Sequence, residues 1–200
     1  SLFCVWAVAY MGCRIYGARA GLLAAYVLCT MVSFVNLGRA ARIDIVLAAF
    51  YTGAMLCLYK GYFEKGKATW WLYVFYVVLG LSVMVKGPVG VVLAGFLIFC
   101  YGVLFRRWGL WWELKPVSGV LIVLLLSAPW YIYESMRTHG EFATSFLVEH
   151  NIKRFLGGSE FKEGKFMPIY YYFPKFFAGT LPWSLAMPGM LWQYRKRFTK

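Results

Sequence analysis

Apolar residues run along this chain in long blocks separated by short clusters of charge, Gly and Pro. A bilayer-crossing helix needs about 20 mostly apolar residues. Seven blocks approach that length: 2–16, 20–37, 45–59, 69–85, 88–105, 117–133 and 174–194, with the first and third short. Between 68 and 105 the only charge is Lys86, inside a KGPVG turn. At about 1.5 Å per residue that stretch is too long for one crossing, and Gly87-Pro88 breaks helices strongly. The pattern predicts a helical hairpin with Lys86 at its tip.

One connection is long and mixed in character, 135–173. Within it, GEFATSFLVEHNIKRFLGG predicts an amphipathic helix over 141–156, closed by Gly157-Gly158. Phe142, Phe146, Ile152 and Leu156 recur at nearly helical spacing, with Glu149, His150, Lys153 and Arg154 grouped elsewhere. Such a helix lies along a membrane surface. The expected fold is all-α: a single transmembrane domain over 1–200, a polytopic integral membrane protein of about seven helices, with one long outer loop.

Composition agrees. Charged residues make up 14% and hydrophobic ones 62%, against about 25% and half in soluble domains. A small soluble domain keeps too much surface in water to hide that excess. The net charge of +13 would suggest nucleic acid in a soluble protein. Here the basic residues sit between apolar runs, which points to lipid headgroups as partners and to no nucleic acid. The five cysteines, Cys4, Cys13, Cys29, Cys57 and Cys100, all fall in apolar runs without CxxC spacing and read as buried thiols. The chain opens directly inside an apolar run, as expected of a fragment of a longer protein.

Charge also suggests an orientation. Alternate gaps hold Arg14 and Arg19; Lys60, Lys65 and Lys67; Arg106, Arg107 and Lys115; the tail adds Arg195, Lys196, Arg197 and Lys200. The positive-inside rule places these in the cytoplasm, with the N-terminus outside and the C-terminus inside. The outer side then receives 38–44 (GRAARID), the Lys86 turn and the long loop. Trp70-Trp71, Trp108, Trp111-Trp112, Trp130-Tyr131 and Trp183 fit interfacial belts.

Ionisable residues at membrane depth are functional hypotheses by default, and three groups share the outer side. Asp44, with Arg39 and Arg42, is either a solvated helix end or an acceptor for a substrate group, a metal or a basic partner. Lys86 either snorkels to headgroups or contacts a phosphate at a helix start. His150 and Arg154, four apart, share one face if helical. The imidazole suits a metal or a base and the guanidinium suits phosphate; the alternative is an ordinary polar face, and one His is too few for a metal site. Nothing pairs Glu149, Glu160 or Glu163 convincingly. The run Tyr170-Tyr171-Tyr172-Phe173 can stack on a sugar, line a lipid groove or anchor at the interface.

Five elements in order, RIDIVLAAF (42–50), VKGPVG (85–90), APWY (128–131), HNIKRF (150–155) and YYYFPKFFAGTLPW (170–183), resemble the polyprenyl-phosphate-dependent glycosyltransferases of the GT-C superfamily. The likeness is to bacterial aminoarabinose lipid A transferases and dolichyl-phosphate-mannose-protein mannosyltransferase-like enzymes. The resemblance implies transfer of a sugar from a polyprenyl-phosphate donor to a lipid or protein acceptor, at the periplasmic face of the bacterial inner membrane. It implies a general-base carboxylate in an outer loop upstream of Ser1, so that 1–200 alone is expected to be inactive, with Asp44 lining the cavity as a possible catalytic residue. His150 matches a position near a divalent metal of open identity. Arg154 and Lys86 match positions near the carrier phosphate, and Tyr171 and Tyr172 fall in the last motif as candidate substrate contacts.

The bottom-up chemistry is compatible. Displacing a polyprenyl phosphate builds negative charge on the leaving group, which fixed cations or a metal stabilise best where water is scarce. An acceptor hydroxyl needs a base. Two other readings stand beside the enzyme: a transporter or flippase for a lipid-linked or anionic solute, and a non-catalytic scaffold. Transporters often show internal repeats, and none stands out here.

Overall fold

The structure, a computed structural model, describes residues 1–64, 69–138, 169–189 and 192. These are helices and turns, with no strand among the described residues. The first block forms α1, Leu2–Tyr16, at its expected bounds. Gly17, at φ 93°, turns the chain directly into α2, Ala18–Thr30. The two helices approach so closely that a Cβ on Gly12 would fall 2.8 Å from the Cα of Gly21.

The second block, expected as one segment over 20–37, is two helices. Met31 adopts an extended conformation (φ −66°, ψ 125°) and separates α2 from α3, Val32–Arg39, with a 62° bend. The third block extends beyond its expected end. α4, Ile43–Leu58, continues through a π-helical turn, Tyr59–Phe63. Lys60 lies within that turn, its ammonium 5.0 Å from the centroid of the Tyr10 ring and 4.6 Å from that of Trp71, a setting that favours a cation.

The hairpin breaks where the sequence predicts. α5, Trp70–Lys86, ends at Gly87 (φ 77°), whose N–H donates to the Val83 carbonyl at 2.8 Å; Pro88 then precedes α6, Val89–Leu104. The hairpin is tight because Gly90 has no side chain: a Cβ there would sit 2.5 Å from Ser82 Oγ. A short α7, Leu110–Glu113, leads to α8, Pro116–Arg137, which runs past its expected end at 133. The last block also differs from expectation. α9, Ile169–Gly179, begins before and contains Pro174, and turns and a 3-10 segment, Trp183–Leu185, follow it. Residues 174–189 are therefore not one continuous helix. The expected amphipathic helix 141–156 lies outside the described residues.

α5 is the centre of packing, against α4, α6 and α8. Phe75 is 1% exposed and packs with Ala54, Cys57, Leu79, Ala94 and Ile98. The buried Ser82 and Ser127 hydroxyls donate to carbonyls of their own helices, Leu79 at 2.7 Å and Val123 at 2.8 Å. That is how a polar side chain is tolerated where water is absent. The outer faces are apolar: Leu22, Val92, Phe96, Trp112 and Leu125 are all well exposed. Apolar surface on this scale calls for lipid or another apolar partner. Cys29 is exposed on such a face and corrects the expectation that all five thiols are buried; Cys4 and Cys57 are buried, Cys13 and Cys100 half-buried.

Two helical stretches among the described residues are long and apolar enough to cross a membrane, Ile43–Phe63 and Pro116–Arg137, and the bent α2–α3 pair makes a third if it counts as one span. α1, α5 and α6 are apolar but shorter, at 15, 17 and 16 residues.

Candidate functional site

The antiparallel run of helices gives the bundle two chemically different ends. At one end lie the start of α4, the end of α5 and the α5–α6 turn. Arg42 is extended and precedes α4, placing Asp44 in the first turn; Lys86 occupies the last turn of α5. Each charge suits its own helix, since an anion is favoured at a helix N-terminus and a cation at a C-terminus. The neighbouring helices bring them together, and Lys86 Nζ donates to Asp44 Oδ1 in an ion pair 42 residues apart in sequence. Both side chains keep 41–45% exposure, so the pair faces outward and remains accessible to a ligand.

A third helix reaches this end. Tyr131 of the APWY motif donates its hydroxyl to the Val83 carbonyl at 3.0 Å, one turn before Lys86. Pro129 sits within α8 beside it. Neither tie was visible in the sequence, because each joins residues more than 40 positions apart. Arg39 and Arg42 are exposed at the same end, in the last turn of α3 and just before α4.

The tyrosine run lies on α9. Tyr170 and Tyr172 are exposed and Tyr171 half-buried, with the Tyr171 and Tyr172 rings edge to face at 6.0 Å. Lys175, one turn on, holds its ammonium 4.3 Å from the Tyr171 ring centroid. Sequence reading passed over this lysine; its signal was the i, i+4 spacing from Tyr171. α9 packs on α3, and α3 packs on α4. His150 and Arg154 lie outside the described residues, as do Glu149, Glu160 and Glu163. No three His, Cys, Asp or Glu side chains cluster as a metal site among the described residues.

The opposite end is basic and aromatic. Arg14 pairs with Glu64, its Nε donating at 3.1 Å. Lys60 sits between Tyr10 and Trp71, and Lys115 Nζ lies 3.4 Å from Tyr73 Oη. A cavity of about 510 Å³ among the described residues also lies nearer this end. Met11, Ile15, Met55, Leu58, Tyr59, Phe63 and Leu97 line it, so it is apolar and separate from Asp44 and Lys86. It has the character of a lipid-facing groove rather than a place for bond-breaking.

Residues 1–141 match the family described as dolichyl-phosphate-mannose-protein mannosyltransferase. An undecaprenyl phosphate-alpha-4-amino-4-deoxy-L-arabinose arabinosyl transferase of Aeromonas hydrophila is 27% identical over 183 residues, covering 89% of this chain and 32% of the relative. An uncharacterised protein of Aquifex aeolicus is 27% identical over 186 residues, covering 92% of this chain and 35% of the relative. Among solved structures, ArnT from Cupriavidus metallidurans bound to undecaprenyl phosphate superposes with a TM-score of 0.83 at 24% identity, over 96% of this chain and 35% of that one. That likeness establishes a shared fold. The chain thus spans about a third of the length of these relatives. Because the family match extends over residues 1–141, well over half of the sequence, the chain belongs to the dolichyl-phosphate-mannose-protein mannosyltransferase family.

Proposed function

We propose that this chain is part of a membrane glycosyltransferase that moves a sugar from a polyprenyl-phosphate carrier to a lipid A-like acceptor, with inversion at the anomeric carbon. The observation that carries the reading is the Asp44–Lys86 pair, which unites RIDIVLAAF and VKGPVG at one exposed end of the bundle. Support for the substrate class comes from the relatives, whose names specify an undecaprenyl phosphate-linked aminoarabinose. A transporter or flippase reading has no comparable support.

In this reading Lys86 and Arg154 carry the phosphate. As the sugar–phosphate bond breaks, charge grows on the leaving oxygen, and a fixed ammonium and guanidinium stabilise it without reorganising. Asp44 orients the Lys86 ammonium. Being already engaged by a cation, it fits a positioning role better than proton abstraction, and the general base belongs to another carboxylate. Tyr171 and Tyr172 offer aromatic faces to the sugar or the first isoprene units. His150 is the candidate ligand of a divalent metal, which would supply further charge stabilisation beside the phosphate. The membrane arrangement belongs to the same proposal: about seven spans, the Asp44–Lys86 end and the 135–173 loop with its amphipathic helix facing the periplasm, the N-terminus outside and the C-terminus inside.

The test uses the full-length protein in phospholipid nanodiscs, with labelled undecaprenyl phosphate-aminoarabinose and either lipid A or a protein acceptor. Transfer to lipid A, lost on Arg154→Ala while the variant stays folded, is the expected result. Absence of transfer to either acceptor by the wild type overturns the assignment, and undiminished transfer by Arg154→Ala removes that residue from the phosphate site.

A further inference from the structure

Two helix breaks interlock at the end of the bundle that carries Asp44. One is the α2–α3 bend at Met31; the other is the turn after α9. A helix break frees backbone groups, and in an apolar setting each must find a partner within the protein. Here one backbone group of each break finds its partner in the other, and the contacts between the two segments run antiparallel. A Cβ on Gly179 would meet Ser33 Oγ at 2.2 Å, so its absence permits the contact. The Val32 N–H donates to the Leu181 carbonyl at 3.2 Å. The Trp183 indole N–H donates to Thr30 Oγ1 at 2.8 Å, and the Trp183 ring meets Tyr26 edge to face at 5.8 Å.

Thr30 is prepared to accept that bond. Its own hydroxyl proton is directed to the Tyr26 carbonyl at 2.8 Å, leaving a lone pair for the indole. Thr180 mirrors it on the other side, its hydroxyl donating to the Phe176 carbonyl at 2.8 Å at the end of α9. A direct side-chain bond across 153 residues thus fixes where α9 leaves the bundle.

We propose that Thr30 and Trp183 are positioning residues, whose joint fixes the seat of α9 on α3 and with it the placement of Tyr171 and Tyr172. The joint acts through α3, which packs on α9 along one side and leads through Ala40 to Arg42 into α4 and Asp44. This rests on the reading of Asp44 and Lys86 as the donor-phosphate site. The joint contributes to ground-state capture of the donor rather than to bond-breaking, so its loss raises KM more than it lowers kcat.

The experiment measures the full-length protein in nanodiscs by amide hydrogen exchange across 169–179 and by transfer kinetics with undecaprenyl phosphate-aminoarabinose as the varied substrate. Trp183→Phe keeps an aromatic ring and removes the donor; Thr30→Val removes the acceptor; Thr30→Ser retains it. The first two are expected to speed exchange across 169–179 and to raise KM roughly fivefold, the weight of one net hydrogen bond, with kcat nearly unchanged. Thr30→Ser is expected to match the wild type in both readouts. Unchanged exchange in both Trp183→Phe and Thr30→Val overturns the proposal, as does a fall in kcat at constant KM. A wild type that transfers nothing would sink the donor-site reading instead, and the exchange measurement would still decide whether the joint holds α9.

Discussion

Exchanging the charges of Asp44 and Lys86 separates a structural ion pair from a phosphate contact. The pair is 41–45% exposed, so solvent screens it, and such pairs contribute about 0.2–1 kcal/mol. Each charge also gains about 0.3–1 kcal/mol from its own helix end. Lys86→Met should therefore cost on the order of 1 kcal/mol and shift the thermal midpoint by only a few degrees. Its effect on transfer should be far larger, because removing one fixed group that stabilises developing charge costs about 100- to 1,000-fold in rate. The swapped double variant, Asp44→Lys with Lys86→Asp, rebuilds the pair but opposes both helix ends and puts a carboxylate in the ammonium's place. It is expected to fold with slightly lower stability and to remain as inactive as Lys86→Met. Steady-state transfer rates and thermal unfolding on the same nanodisc preparations measure both quantities. Recovery of transfer in the swap would refute the phosphate role, because only the ion pair is restored. A Lys86→Met rate that falls merely in step with the folded fraction would refute it equally.

Further outcomes follow from the packing. Gly119→Ala should destabilise by about 1–3 kcal/mol through overpacking: its Cβ would fall 2.2 Å from Tyr76 Cε1, on a ring held by a 2.8 Å bond from its hydroxyl to the Leu114 carbonyl. Denaturation in detergent checks this, and an unchanged midpoint would show that the helices move apart freely. Tyr131→Phe deletes the hydroxyl bonded to Val83 and should cost about 1 kcal/mol, read in the same assay. Arg14→Gln, which breaks the exposed pair with Glu64, should leave the midpoint unmoved; a clear drop would mean that the pair organises the basic end.

Much of the architecture was legible because apolar blocks and Gly-Pro punctuation act locally. α1 matched its block, and the α5–α6 break fell at Gly87-Pro88, where a positive φ and a missing N–H leave the helix no continuation. The bend at Met31 was invisible, since neither Gly nor Pro marks it and its stabilising partners lie on the α9 side of the chain. The extension of α4 through Lys60 was hidden for a similar reason: the rings of Tyr10 and Trp71 that flank its ammonium come from other parts of the chain. Pro174 misled in the opposite direction, because α9 accommodates it in its interior. For the site, the sequence singled out Asp44 and Lys86 separately as rare charges beside apolar runs. Their meeting depended on α4 and α5 packing side by side, which composition and spacing do not encode.

The interlocked breaks also have a consequence for biogenesis. Helices enter the membrane in the order in which the ribosome makes them, and α2–α3 emerges long before Trp183, 153 residues downstream of Thr30. During that interval the Val32 amide has not yet met the Leu181 carbonyl, so it can be satisfied within the chain by a straight helix through Met31, with the Leu28 carbonyl as its acceptor. A nascent chain stalled before Thr180 would therefore lack the partner that sets the bend, and the 62° turn between α2 and α3 becomes a late event set by the downstream segment.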